Sequence, residues 1–459
     1  MSTKEELNIN DSVSFMEMTR YFIPLLLSTA SQALTYPLVG RIVTRGTTLG
    51  AGMGTIEYSV FAQAQTIMFL VGAIGAGLVV TGMVFAKSHR SMSEFTKLSL
   101  ILGAIAILMQ IAACIPPFDT LVIQKFLHLT EPDKIKITKQ TLIFCTLMNF
   151  TFFVRNAPQV ALLNSRRTHM ISTSTIGRII ATWGLSNIFL KFGLIGYLNG
   201  IICMTIPVVM ETVFLYIASR PEYRALAAIS EDRSATWLKQ LIFTLPLSLG
   251  GICMTASATI LARFLNLAAG SSNAALAVAV HYIAWGIANP ASAGANRTQA
   301  VFLTFANGRR DRWLQILKFS VIIGVILSLI PLIFFIPPVA RAYFAGEQNL
   351  SPENIPMALK AMAVVIPMIP MRALLGFAEG DAAFIRKPIY VLFGQIAYVL
   401  SLILIEYWML RTKLVPVHLM GVWGILLSTV ISIFTIMIFV FINRRKNSNI
   451  TDILACPAC

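Results

Sequence analysis

The sequence predicts an all-α polytopic membrane protein with twelve transmembrane helices in two pseudo-symmetric six-helix lobes. Three observations carry this. The 459 residues are 56% hydrophobic and only 12% charged, about half the charge of an average soluble domain. The apolar residues gather in about a dozen blocks of roughly 20 to 30 residues, each long enough as a helix to cross a hydrocarbon core of about 30 Å. The second half of the chain also repeats the first. Alternating barrel strands are not seen, which leaves helices to satisfy the backbone in lipid.

In chain order the blocks place spans near 15–43, 56–86, 95–116, 137–163, 169–191, 194–219, 236–265, 274–306, 313–336, 354–378, 387–410 and 417–443. Basic clusters follow every second span: Lys87 and Arg90, Arg166 and Arg167, Arg220 with Arg224 and Arg233, Arg309 with Arg310 and Arg312, Arg386 and Lys387, then Arg444, Arg445 and Lys446. The positive-inside rule puts these loops and both termini in the cytoplasm. The net charge of +16 therefore reads as topology, not as a nucleic-acid partner. Among the opposite loops, "HLTEPDKIKITK" is richest in charge and amphipathic, and an interfacial segment is expected there. The first dozen residues are polar and the apolar stretch after them is too long for a signal h-region, so no cleavable signal is expected.

The repeat fixes the domain organisation. "KLSLILGAIAILMQIAACIPP" at 97–117 aligns without a gap to "KFSVIIGVILSLIPLIFFIPP" at 318–338. Similar offsets relate Pro24 to Pro246, Arg41 to Arg263, Arg155 to Arg372 and Gly177 to Gly394. A near-constant offset across charged, Gly and Pro anchors is not chance similarity between apolar segments. Residues 1–219 form an N-terminal lobe, 220–235 a cytosolic linker, 236–443 a C-terminal lobe and 444–459 a cytosolic tail. Six is even, so the lobes share an orientation and are related by an axis along the membrane normal, an architecture of rocking transporters.

Of six cysteines, Cys114, Cys145, Cys203 and Cys253 lie in predicted spans, where a thiol acts as a small apolar residue. Only the terminal "CPAC" has chemical spacing, and one such pair is half a zinc site or a redox pair at most. No phosphate-binding Gly-Lys-Ser/Thr loop, His-Glu-x-x-His or soluble ATPase domain is present. No enzymatic activity, cofactor or metal is expected.

Charges inside a membrane are expensive and point to function. Arg41, Arg155, Arg178, Arg263, Arg297 and Arg372 lie in or near spans, against Glu211 and Glu406, with Glu57 at a helix edge and Glu379 and Asp381 beyond a helix end. This excess favours anions, which guanidinium groups hold through bidentate hydrogen bonds. Arg263, in "ATILARFLN", is about 25 residues or roughly 37 Å along its helix, near the outer face. It and its repeat partner Arg41 either snorkel to the interface or line an outer vestibule. Arg155 and Arg372 share a depth in the two lobes and are candidates for a central cavity, with an interhelical ion pair or a cytosolic lip as the alternatives. His281, Trp285, Asn289, Ser292 and Asn296 fall on one face of the eighth span, which must meet a cavity or another helix. Asn149 and Asn156 in the fourth span, and Gln32 with Tyr36 in the first, form weaker versions. Candidate substrate-binding residues are Arg155, Arg372, His281, Asn289, Asn296, Arg297, Arg41, Arg263, Gln32 and Asn149.

Two six-helix lobes with Pro24 and Pro246 near the starts of the first and seventh spans resemble the multidrug/oligosaccharidyl-lipid/polysaccharide flippase superfamily. Within it, "LARFLNLAAGSSNAALAVAVHYIAWGIANP" (261–290), "VIQKFLHLTE" (122–131) and "FLTFANGRR" resemble the progressive ankylosis protein family. The resemblance implies a membrane exporter of small polyanions such as pyrophosphate, nucleoside phosphates or citrate-like carboxylates. The expectation is a secondary transporter working by alternating access, in a cell (plasma or inner) membrane, monomeric, with the lipid bilayer and a small anionic substrate as its partners. A flippase for lipid-linked pyrophosphate saccharides, a multidrug exporter of cations and a non-transporting scaffold are the alternatives.

Overall fold

Each predicted span is helical in the computed structural model, which describes residues 13–32, 35–50, 54–126, 131–226, 236–268, 274–307, 309–347, 350 and 352–454. The first lobe comprises α1 (Phe15–Gln32), α2 (Thr35–Val43), α3 (Gly54–Gly72), α4 (Leu78–Phe85), α5 (His89–Ala112), α6 (Pro132–Phe144), α7 (Thr146–Asn164), α8 (Thr168–Lys191) and α9 (Tyr197–Leu226). The second comprises α10 (Trp237–Ala268), α11 (Ala274–Ala295), α12 (Thr298–Phe305), α13 (Arg310–Leu332), the short α14 (Pro337–Ala340), α15 (Ile355–Val365), α16 (Met368–Phe384), α17 (Ile389–Thr412) and α18 (Val417–Leu454). Among the described residues, nine helical stretches are long and apolar enough to cross a membrane. The fifth span, α8, is more polar because it buries Ser172, Ser174, Thr175, Arg178, Thr182 and Ser186. The chain is a multi-pass membrane protein.

The repeat extends to interruptions within spans. The second span breaks at a 3-10 turn, Ala73–Gly75, and the eighth at residues 296–297. The fourth breaks at Cys145 and the tenth at Ile366 and Pro367. Pro367 lacks an N–H for the helical ladder. Gly75 and Gly77 let neighbours close in: a Cβ on Gly75 would sit 2.6 Å from Phe153 Cε1, and one on Gly77 would sit 2.9 Å from the Thr244 carbonyl oxygen.

Three expected boundaries shift. The tenth span does not end at 378; α16 runs on to Phe384, so Glu379 and Asp381 lie inside a helix, 7% and 0% exposed. Gly376 and Gly380 there mark close packing and not an end: a Cβ on Gly376 would meet the Asn296 carbonyl oxygen at 2.4 Å, and one on Gly380 the Phe302 Cβ at 2.7 Å. Within the stretch expected as an interfacial segment, residues 132–139 instead supply the first part of the fourth span, since Pro132 opens α6, which packs on α3. The last helix continues through Arg444 to Leu454, while the CPAC cysteines lie outside the described residues.

Phe61, Phe95 and Phe153 anchor a core within the first lobe, while Phe302, Phe319 and Phe377 of the second belong to a cluster that also takes in Tyr21 and Phe22 of α1. Large apolar side chains such as Leu108, Leu404, Phe434 and Phe441 are 64–67% exposed. Water would not tolerate such a belt, and acyl chains cover it at no cost.

The lobes meet where α1 and α4 face α10, α11 and α12. Thr81 and Thr244 share a hydroxyl hydrogen bond of 2.8 Å across the seam. Gln240 Nε2 donates to the Ser91 carbonyl at 3.0 Å, and the Trp237 N–H donates to Glu94 at 3.1 Å. These contacts lie at the end of the molecule that carries the basic loops.

Candidate functional site

Two cavities flank the predicted arginines. In the first lobe Arg155, Asn149 and Asn156 on α7 line a space of about 480 Å³ with Gly72, Gly251 and Thr255. Gly251 and Thr255 belong to α10, so this cavity lies on the seam. In the second lobe Arg372 lines a smaller space of about 190 Å³ with His281, Trp285, Ser257 and Tyr398.

Arg155 is ion-paired. Its guanidinium donates to Glu211 Oε2 at 2.7 Å, and Arg178 reaches the same oxygen at 3.1 Å. Thr175 donates to the other carboxylate oxygen at 2.8 Å, and Arg155 also lies 4.9 Å over the Phe152 ring. One carboxylate thus serves two guanidinium groups. Charge-assisted contacts of this kind hold a buried ion that alone would be expelled. Asn149 donates its amide to Gln110 at 2.8 Å, and Gln110 donates to the Leu142 carbonyl at 2.7 Å. A Cβ on Gly72 would stand 3.1 Å from Asn149 Oδ1, so the amide is held against the broken second span.

In the second lobe Arg372 lies 5.8 Å over the Tyr398 ring, within electrostatic reach of Glu379. Glu379 accepts from Gln395 Nε2 at 2.6 Å and from the Asn296 amide. His281 is 1% exposed against Gly421 of α18. Arg297, at the break in the eighth span, donates Nε to Thr29 Oγ1 of α1 at 2.8 Å and lies within electrostatic reach of Arg155. It joins the two lobes.

The predicted stripe of the eighth span therefore divides its duties. His281 and Trp285 face the second-lobe cavity, Ser292 is buried, Asn296 and Arg297 sit at the break, and Asn289 is exposed and lines neither cavity. Arg41 is exposed in the last turn of α2 and lines neither cavity. The side chains of Gln32 and Arg263 lie outside the described residues. Sequence reasoning did not join Glu211 to its arginines, nor include Gln110, Glu379 and Gln395. Their only signal was polarity within apolar spans.

A third space, an apolar groove of about 850 Å³, lies on the far side of α3 from the seam cavity. Ile67, Leu70, Val71 and Ile74 face it together with Phe118, Leu121 and Ile252, and Lys125 stands at its edge. Met68, Phe69, Gly72 and Ala73 face the seam cavity instead. One helix thus separates an apolar space from a cationic one.

The structure can be compared with solved proteins. No family model and no curated protein matches the sequence. A transporter of the MOP superfamily from Pyrococcus furiosus, reported with a binding pocket of reversed polarity, superposes with a TM-score of 0.73 at 16% identity, covering 94% of this chain and 95% of that one. A multidrug resistance MATE family transporter in its outward-facing conformation gives 0.70 at 15%, covering 95% and 97%. MATE in complex with MaL6 gives 0.72 at 16%, covering 94% and 96%. The match runs nearly end to end, and the chain has the fold of the MATE transporters of the MOP superfamily: twelve helices in two lobes.

Proposed function

We propose that this protein is a secondary transporter that exports small polyanions by alternating access, with the seam cavity beside Arg155 as the binding site. The arginine in the cavity lining carries the proposal. Arg155 lines the seam cavity and Arg372 the second one, Arg297 lies within electrostatic reach of Arg155, and Arg155 shares the Glu211 carboxylate with Arg178. Such a lining suits phosphate or carboxylate oxygens and repels cationic drugs. The segments that resemble the progressive ankylosis protein family support the same substrate class. With the basic loops and termini in the cytoplasm, the lobes are shut on the inner side and the cavity is reached from outside. An inside-negative potential of 100 mV drives a dianion outward with about 4.6 kcal/mol, which needs no coupling carboxylate.

The apolar groove behind α3 favours a second substrate of the same charge, a lipid-linked pyrophosphate whose chain lies in the groove while its head enters the cavity. Potential-driven flux in proteoliposomes distinguishes these readings. Release of pyrophosphate, ATP or citrate that drops at least tenfold in Arg155→Ala supports the soluble anion. Flipping of a fluorescent polyprenyl pyrophosphate without soluble flux supports the lipid. Transport of ethidium, with neither anion moved, sinks both and leaves the multidrug exporter.

A further inference from the structure

At the basic-loop end of the seam lies a cavity of about 390 Å³ that the transport path does not use. Lys87 lines it from the α4–α5 turn, Asn164, Ser165 and Arg166 from the end of α7, Glu222 from α9, and Thr304 from α12 of the other lobe. Arg386 of the second lobe lies over the Phe85 ring at 5.1 Å, two residues from Lys87. Charges on this wall do not balance. Arg166 pairs with Glu17, and Arg167 with Glu222 at 3.1 Å. Lys87 and Arg386 make no ion pair among the described residues, although they approach each other from opposite lobes. Burial, and then the nearby Arg386 charge, hold the Lys87 ammonium below the ordinary lysine range.

The rim is fixed before any ligand arrives. Asn164 donates its amide to the Ala86 carbonyl at 3.0 Å and to that of Gly82 at 3.4 Å. Thr304 donates to the Tyr21 hydroxyl at 2.8 Å, across the seam. An unpaired Lys87 in the wall of a preformed cleft, with the unpaired Arg386 of the other lobe beside it over Phe85, is an arrangement that a compact dianion satisfies.

We propose that this cavity is a binding site for a phosphate group, which bridges Lys87 and Arg386 and so holds the lobes together on the basic face. Without the anion, two like charges meet where the lobes close. With it, the repulsion becomes two attractions shared between the lobes. Phosphate affinity and lobe closure are then reciprocally linked: each strengthens the other by the same factor. The phosphate group can belong to a lipid of the adjoining leaflet or to a soluble ion, and the two sources are experimentally separable.

The full-length protein, with its native cysteines replaced by alanine and Thr81→Cys introduced at the seam, is placed in phosphatidylcholine nanodiscs. Inorganic phosphate is added in one arm, and 20 mol% phosphatidic acid is included in the other. Alkylation of the seam cysteine by a water-soluble maleimide and the unfolding temperature are read in both. Protection by at least tenfold with a raised Tm in the lipid arm alone assigns the site to a headgroup. The same result in the phosphate arm alone assigns it to a soluble anion, and a response in both arms supports the site with either source. Lys87→Ala and Lys87→Gln, which leave the aromatic contacts intact, abolish the response, and Lys87→Arg keeps it. An unchanged rate and Tm in both arms, or a response that survives Lys87→Gln, overturns the proposal. No transport is measured, so failure of the export reading leaves this result interpretable.

Discussion

The guanidinium of Arg166 lies 4.5 Å from the centre of the Phe305 ring in the opposite lobe, and 220 residues further on Arg386 does the same to Phe85 at 5.1 Å. The relation includes a third ring. Tyr21 meets Phe305 edge-on at 5.4 Å, and its repeat counterpart Phe243 meets Phe85 edge-on at 5.0 Å. Each lobe therefore inserts one phenylalanine between an arginine and an aromatic of the other. Contacts of this type contribute about 0.5–2 kcal/mol each, enough to bias the equilibrium between two packed states without locking it.

Removing one arginine should loosen this face slightly, and removing both should open it. In the cysteine-free background carrying Thr81→Cys, maleimide labelling is expected to rise modestly in Arg166→Ala and at least tenfold in Arg166→Ala with Arg386→Ala. Equal labelling in the double variant and the parent shows that the aromatic clasps do not hold the lobes.

Glu211 and Arg155 should part company when substituted. Glu211→Gln removes the carboxylate that Arg155 and Arg178 share, a loss of about 3–5 kcal/mol for a buried pair, and Tm in detergent should fall by many degrees. Arg155→Ala leaves Glu211 bonded to Arg178 and Thr175, so Tm should move far less while anion flux falls at least tenfold. Equal losses of Tm in the two variants contradict this division.

Packing at the seam predicts a steric effect. A Cβ on Gly251 would lie 2.4 Å from the Ala76 Cβ, an atom with no rotamer to move. Overpacking costs about 1–3 kcal/mol, so Gly251→Val should lower Tm and push α10 away from the second span. Gly250→Ala makes a useful control, because its nearest neighbour, Gln395 Cγ, would stand at 3.2 Å, a contact that a shift of a few tenths of an ångström relieves.

Asp119, in the segment between the third and fourth spans, gives with Lys139 a pH signature. Lys139 lies 2.6 Å from the Asp119 carboxylate, and its hydrogen bond holds that carboxyl below the ordinary range. A depressed folded pKa stabilises above the unfolded value of about 3.9 and loses that contribution as pH falls through the folded value. Asp119→Asn should therefore unfold earlier than wild type at pH 7. The gap should close in thermal scans taken below about pH 4.

Much of the fold was legible because membrane helices declare themselves by length and composition, and because a repeat constrains two halves at once. Glu379 shows where that fails. "GFAEGD" reads as the end of a span because glycine and acid cluster there, yet those glycines are the flat surface on which α12 rests. The candidate site was legible as a set of arginines, without their pairing. Arg155 and Glu211 are separated by 56 residues, and nothing local in either helix announces that they meet. Asn149 was singled out, but its tie to Gln110 in α5 is likewise a fact of packing.

The crossed phenylalanines have a further consequence. When residue i of one body touches j of another while j of the first touches i of the second, the surface is isologous, as in a two-fold dimer. Plug and socket then lie side by side on a single surface that is complementary to itself. The two lobes stand to each other as subunits do, and a tandem of the first six-helix unit would already contain every chemical type that both contacts require: a phenylalanine to insert, an arginine to cover it and a tyrosine to meet its edge.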